Sequence, residues 1–307
     1  MHILHIDTGL EMRGGQRQVL LLLQALRQAG HECTLLAAKP GLLSNAAMQL
    51  KFPVHPADAA QVWRLSLSAD LVHAHDARSH TLAAISSRRK FVVSRRVAFP
   101  VRRSVASLWK YQRPARFLAV SRFVAHELET VGLRHEKIDV VYDAVSDNVP
   151  LTHSSPQGPI VALATRDRQK GRELMENASA IGGFPVVFSN DLEVDLIGAS
   201  VFVYITRSEG LGSAALLAMA MGVPVIASCV GGLTEVFEDE TSGIFVQNEP
   251  SEIARQVQRV RGDSALARRL IEAAKIRIAE SFTVHHLLER TLRSYRTALC
   301  LESSAGQ

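Results

Sequence analysis

The sequence predicts an α/β protein of two domains, each a parallel sheet wrapped by helices. Short apolar runs rich in β-branched residues alternate with helical stretches through both halves, the pattern of buried parallel strands and their crossovers. Glycines cluster at two strand-to-helix turns, around residue 14 and around residue 211. At 307 residues the chain is long enough for two such cores.

Ile3 to Ile6 reads as the first buried strand. Thr8 to Gly15 follows as a loop, then a helix over Gln16–Gln28 and a strand over Glu32–Ala37. This βαβ opening is Rossmann-like but has no GxGxxG, so a dinucleotide fingerprint is absent. The pair Gly14-Gly15 faces a ligand or is ordinary turn chemistry. Ala69 to His75 reads as another strand, with His73 and His75 on one face at its C-terminal end, where ligands of open α/β sheets bind. Two histidines two apart invite a metal, but no third ligand stands at a convincing spacing, and none is assigned; one or both histidines alternatively cap the strand. Phe91–Val93 and Phe117–Val120 read as strands, Ser121 to Leu128 as a helix, and Lys137–Val141 as the last strand of the half. The expected boundaries are a first domain over 1–148, a linker over 149–158 rich in Pro, Ser and polar residues, a second domain over 159–300 and a disordered tail over 301–307.

In the second half, Pro159–Ala164 opens a new sheet and Thr165–Gly171 is a cationic loop before a helix. Pro185–Phe188 and Val201–Ile205 read as strands. A Gly-rich turn, Ser208–Gly212, comes next, with Ser213 placed as N-cap of a helix over Ala214–Met221. Gly222 and Pro224 stop that helix, Val225–Ala227 is another strand, Gly231-Gly232 another loose loop, and Gly243–Val246 the last strand. Amphipathic helices follow over Ser251–Arg261, Ser264–Ser281 and Val284–Leu299. Free backbone N–H groups and the positive helix end at Gly212–Ala215 favour an anion. Glu209 beside them would repel phosphate; it suits hydroxyls next to a phosphate, as on a sugar. The competing reading is glycines that only turn the chain and a solvated Glu209.

The stretch resembles the donor site of the family-four retaining glycosyltransferases, which have the GT-B fold. Glu209-Gly210-Leu211-Gly212, Ala218-Met219-Ala220, Gly222-Val223-Pro224-Val225 and Gly231-Gly232-Leu233-Thr234-Glu235 match the family pattern in order and spacing. The resemblance implies two Rossmann-like domains facing across a cleft, with the last helix commonly crossing back to the first. It implies a nucleotide-sugar donor, retention of configuration, no metal and no cofactor. Glu209 would hold the donor sugar. Lys170, with Arg166 or Arg168, and the backbone of Gly210, Leu211, Gly212 and Ser213 would hold the diphosphate, with Gly231 and Gly232 completing the loop. Gly14, Gly15 and His75 would face the reacting centre. The family's second glutamate, separated from the first by seven residues and holding the ribose, falls on Leu217. The chain is also shorter than the family between Gly171 and Glu209. A degenerate binding subunit of the same fold is therefore the alternative. A GT-B epimerase would show acid–base carboxylates that find no place in this sequence, and a GT-B phosphorylase a cofactor-holding lysine and far greater length.

An apolar fraction of 47% and a charged fraction of 21% are those of a soluble globular chain. Cys33, Cys229 and Cys300 are scattered, as in a reduced, cytosolic protein. The N-terminus is too short and too interrupted by histidine for a signal peptide, and no apolar stretch is long enough to span a bilayer. The net charge is +5, yet Arg88 to Arg122 holds eleven Lys or Arg and no acid. With Phe99, Trp109 and Tyr111 interleaved, the segment suits an anionic membrane surface at the inner face of the cell membrane, or a phosphorylated, lipid-linked or glycan acceptor. Nucleic acid is the competing partner, but no recognition motif accompanies the charge, and none is expected to bind.

Overall fold

The computed structural model describes residues 1–97, 104–164 and 171–300. It divides into two compact units, Met1–Asp143 with Val284–Gln307, and Ala144–Thr283.

The first unit carries strands β1 (His2–Asp7), β2 (Glu32–Ala37), β3 (Val54–Pro56), β4 (Leu71–Ala74), β5 (Phe91–Arg95), β6 (Arg116–Ala119) and β7 (Ile138–Val140). They form one sheet in the order β3-β2-β1-β4-β5-β6-β7, with every neighbour parallel. Helices α1 (Gly14–Gln28), α2 (Leu42–Gln49), α3 (Ala59–Ser66), α4 (Ala77–Ser86), α5 (Val105–Gln112) and α6 (Arg122–Thr130) make the crossovers. Because helices cover both faces, β1 and β4 are buried almost without alternation. The strand order turns back between β1 and β4, so their C-terminal ends, Asp7 and His75, flank the crevice where such sheets bind ligands.

The second unit carries β8 (Ile160–Leu163), β9 (Val186–Ser189), β10 (Val201–Tyr204), β11 (Val225–Ser228) and β12 (Ile244–Val246), with α7 (Arg172–Gly182), α8 (Leu192–Asp195), α9 (Ser213–Met221), α10 (Pro250–Gly262) and α11 (Ser264–Ser281). Its parallel sheet runs β12-β11-β10-β8-β9. Val203, Ile226 and Ile244 from the sheet pack with Met175 of α7 and Ile253 and Val257 of α10 in its core. Here the order turns back between β8 and β10, which places the turns after Leu163 and after Tyr204 at the crevice. Between Gly171 and Glu209 there is one strand before β10, in keeping with the shortness noted in the sequence.

The last helix, α12 (Val284–Leu299), belongs to the first unit, as the family resemblance implied, whereas the sequence boundaries placed it in a domain running to 300. Its buried stripe, Leu287, Thr291, Ser294, Tyr295 and Ala298, lies against α1, β5 and β6. Amphipathic spacing shows that a helix has a buried face but not which sheet covers it. Residues 301–307, expected to be a disordered tail, lie outside the described residues.

Several cations of the basic segment have partners inside the unit. No acid lies inside the segment, yet acids from β7 and the turn after it reach in. Arg116 makes paired bonds to Asp139 at 2.5 and 2.6 Å, and Arg96 bonds Asp143 at 3.0 Å with both side chains largely buried. Arg95 donates to Tyr111 Oη, and Lys110 donates to the Ala77 carbonyl and Thr81 Oγ1. These cations build the unit rather than coat it. Phe99, Arg102 and Arg103 lie outside the described residues.

Candidate active site

In the second unit the site is built on the turn that follows β10. Ile205 and Thr206 continue the buried strand, and Ser208 to Gly212 then folds back over its end. Glu209 is half-buried there. Its Oε1 accepts the Gly210 N–H at 3.0 Å, and its Oε2 accepts the phenol of Tyr204. The Gly231–Glu235 turn closes against it through a Gly232 N–H bond to the Glu209 carbonyl at 3.0 Å. That approach requires glycine, since a Cβ on Gly232 would lie 1.9 Å from the Gly210 carbonyl oxygen. Beyond the turn, Thr206, Ser228 and Asn248 tie the ends of β10, β11 and β12 together: Ser228 Oγ accepts the Thr206 N–H and donates to Asn248 Oδ1, while Asn248 Nδ2 donates to the Thr206 carbonyl.

Helix α9 starts one residue earlier than a Ser213 cap would allow. Gly212 is the N-cap, at φ 111°, a conformation in which serine would be strained; Ser213 is the first helical residue. The N–H groups of Ala215 and Leu216 turn back to the Gly212 carbonyl, leaving those of Ser213 and Ala214 without an acceptor inside the helix. A carboxylate and a positive helix end therefore stand side by side, an arrangement for a ligand with hydroxyls at one end and negative charge at the other. The Leu211 side chain is buried in the core, so that residue can offer only its backbone. Leu217 is half-buried on α9. Arg166, Arg168 and Lys170 lie outside the described residues.

In the first unit Gly14 and Gly15 are the first two residues of α1 rather than loop. Gln16 follows and donates to both oxygens of Asp7 at 3.1 and 3.2 Å. Asp7 is almost fully buried, and burial, with Asp76 close by, raises its carboxyl above the usual range. The carboxylate of Asp76 caps α4 through the Arg78 and Ser79 N–H groups and also takes the N–H and hydroxyl of Thr8. Asp76 thus stitches the two crevice turns together.

Histidines 5, 73 and 75 form one buried cluster. His5 and His73 are register partners on β1 and β4, and His75 lies two residues on, on the same face. His5 Nδ1 and His75 Nε2 are 2.9 Å apart, and His73 is held by Tyr295 Oη at 2.7 Å and Ser94 Oγ at 2.8 Å. Burial first, then neighbouring histidines, keep all three neutral; His5 is lowered to about 3. The sequence reading set a metal aside for want of a third ligand, and that reason falls: one ring nitrogen from each histidine lies within 4.8 Å of the others. The donor set still fits a dication poorly. Both nitrogens of His73 are engaged, no carboxylate or thiolate among the described residues joins the group, and the Arg96 guanidinium acts on His73 and His75. The cluster reads as hydrogen-bonded neutral imidazoles. His75 is only 5% exposed.

A model of glycosyltransferase family 4 matches residues 12–149, and one of glycosyl transferases group 1 matches 180–277. Anabaena HepE, solved with UDP and glucose, superposes with a TM-score of 0.82 over 95% of this chain and 98% of its own, at 17% identity. Both units have the GT-B fold, and each is matched in sequence by a glycosyltransferase family model. The lipopolysaccharide outer core galactosyltransferase WaaB has the same GT-B fold, at a TM-score of 0.70 and 15% identity over 96% of this chain and 99% of its own. An uncharacterized glycosyltransferase of Methanocaldococcus jannaschii is 35% identical over 102 residues, 33% of this chain and 26% of that protein. The chain thus matches about a quarter of the length of that curated relative.

Within the GT-B units the structure gathers Glu209, Gly210, Gly212, Ser213, Gly231 and Gly232 around one turn, while Gly14 and Gly15 open α1 after β1 and His75 follows β4. Sequence reasoning missed His5, Asp7, Arg96 and Tyr204. A polar residue inside or at the end of an otherwise apolar strand, as in His2–Asp7 and Val201–Tyr204, is the signal that could have found three of them. Arg96 passes 3.8 Å from where a Cβ on Gly15 would stand, a proximity no local pattern encodes.

Proposed function

We propose that this protein transfers a glycosyl group from a nucleotide sugar to a glycan or lipid-linked acceptor, with retention of configuration and without a metal. The observation that carries the reading is the pairing of the Glu209 carboxylate with the open N–H groups of α9 at the β8–β10 crevice. Glu209 takes the sugar hydroxyls; Gly210 to Ser213, with Lys170 and Arg166 or Arg168, take the diphosphate, on which charge grows as the glycosidic bond breaks. In the first unit, Gly14, Gly15 and His75 serve the reacting sugar and the acceptor. HepE is spanned almost end to end by this chain and holds UDP-glucose, which supports a nucleotide-sugar site in a unit this short. WaaB supports an acceptor of the lipopolysaccharide or polysaccharide kind.

The test is a thermal-shift panel of nucleoside diphosphates and nucleotide sugars on the wild type and Glu209→Ala. A ligand present at a hundredfold its Kd stabilises by about 2.7 kcal/mol, which raises the melting temperature by several degrees. A shift with one nucleotide sugar, reduced in Glu209→Ala, supports the reading and names the donor. No shift with any of them leaves the binding subunit as the better account, with Leu217 as its cause.

The membrane reading rests on α5. No helix of the described residues is long and apolar enough to cross a membrane. Val105, Leu108 and Trp109 recur at helical spacing on α5 and are 87%, 42% and 48% exposed, with the Arg113 guanidinium 5.6 Å from the Trp109 ring. An apolar face with cations at its rim suits the headgroup region of an anionic bilayer.

A further inference from the structure

Tyr204 is the last residue of β10, and burial leaves it 4% exposed. A buried phenol needs a partner, and this one donates to the Oε2 of Glu209. The ring is also the floor of the turn above it. A Cβ on Gly212 would come within 3.4 Å of its edge and within 2.5 Å of Leu233. The carboxylate is therefore gripped at both oxygens, Oε1 by the Gly210 N–H and Oε2 by the phenol. Those two grips set the directions in which the carboxylate oxygens point.

Burial, reinforced by the charge of Glu209, holds the Tyr204 phenol well above its usual range, so it remains a donor at every working pH. A hydrogen bond to an ionised acceptor is among the stronger ones a side chain makes. An acceptor-only carboxylate recognises hydroxyls and repels phosphate, so any ligand energy routed through Glu209 comes from the sugar and not from the diphosphate.

We propose that Tyr204 is a positioning residue that fixes the Glu209 carboxylate for the sugar hydroxyls of the donor. This rests on the reading of the second unit as the donor site. It predicts a selective defect: without the phenol, Glu209 loses the grip on its Oε2, and the sugar half of the donor alone feels the loss.

The experiment is calorimetric titration of UDP and UDP-glucose into the full chain as wild type, Tyr204→Phe, Glu209→Ala and the double variant. The expected result is a Kd for UDP within twofold of wild type in Tyr204→Phe. The ratio of the UDP-glucose Kd to the UDP Kd should rise about tenfold, and Tyr204→Phe should add nothing further in the Glu209→Ala background. A structural defect would move both ligands together. An unchanged ratio in a wild type and variant that both bind UDP-glucose overturns the role of Tyr204 and leaves the donor site standing. A wild type that binds neither probe nor any other nucleotide sugar of the thermal-shift panel overturns both. Should Tyr204→Phe fold poorly, the hydroxyl proton of Tyr204 in selectively labelled wild type supplies the answer by NMR. Its signal should shift on adding UDP-glucose and stay in place with UDP, and a signal indifferent to both refutes the proposal.

Discussion

Acid should unfold the first unit far sooner than its carboxylates alone would require. His5, His73, His75 and His80 are all buried in it, and burial lowers each of them; His5 and His80 are lowered to about 3. Arg96 beside the cluster and Lys110 beside His80 push the same way. The folded chain keeps these rings neutral, while the unfolded chain protonates them below about 6.5. The stability they carry is therefore complete above about pH 6.5 and is lost as pH falls toward 3. At pH 5.5 each ring costs roughly 1.4 kcal/mol, and four together about 6 kcal/mol, comparable with the whole stability of a typical domain. Both tryptophans, Trp63 and Trp109, lie in this unit, so tryptophan fluorescence in urea reports it selectively. The unfolding free energy should drop by several kcal/mol between pH 8 and pH 5.5. His80→Leu, which removes one of the four rings, should shrink that drop by about a quarter. A drop below 1 kcal/mol, or one unaltered by His80→Leu, would refute the argument.

Gly232→Ala places a methyl group 1.9 Å from the Gly210 carbonyl oxygen. Relief needs the two turns to part and the Gly232–Glu209 bond to break, so the second unit should lose about 2–4 kcal/mol; a urea midpoint equal to wild type would show that the turns are loose. Trp109→Ser with Val105→Asp should abolish flotation with vesicles of mixed anionic and zwitterionic lipid while leaving the melting temperature within about 2 °C; persistent flotation would remove α5 as the membrane contact. Leu217→Glu should tighten UDP roughly tenfold by calorimetry if position 217 faces the ribose, and no gain would place the ribose elsewhere.

What could be read from the sequence was local. The run from Val201 to Glu235 shows its strand, turn, helix and second strand because each is specified by neighbours: β-branched residues, glycines, then alanines and leucines. Gly212 took the cap from Ser213 because the turn needs a positive φ there, a demand that residue preference for caps does not reveal. The pieces that escaped depend on strand order. His5 meets His75 across 70 residues only because β1 lies beside β4. Asp139 and Asp143 neutralise Arg116 and Arg96 only because β6 lies beside β7, whose end leads to Asp143. Spacing cannot show these meetings in advance; the topology must be known first.

The return of α12 has a consequence for the order in which the chain can fold. The second unit is a continuous stretch, Ala144 to Thr283, inserted between the two parts of the first. A ribosome adding roughly 5–20 residues per second needs about 7–28 seconds to make those 140 residues. Through that interval β1 to β7 exist without α12, and the His73 ring lacks the Tyr295 hydroxyl that satisfies it. The unit begun first is thus the one completed last, and a chain cut at Asp143 would carry an open apolar seam along α1, β5 and β6 where chaperones and proteases find their substrates.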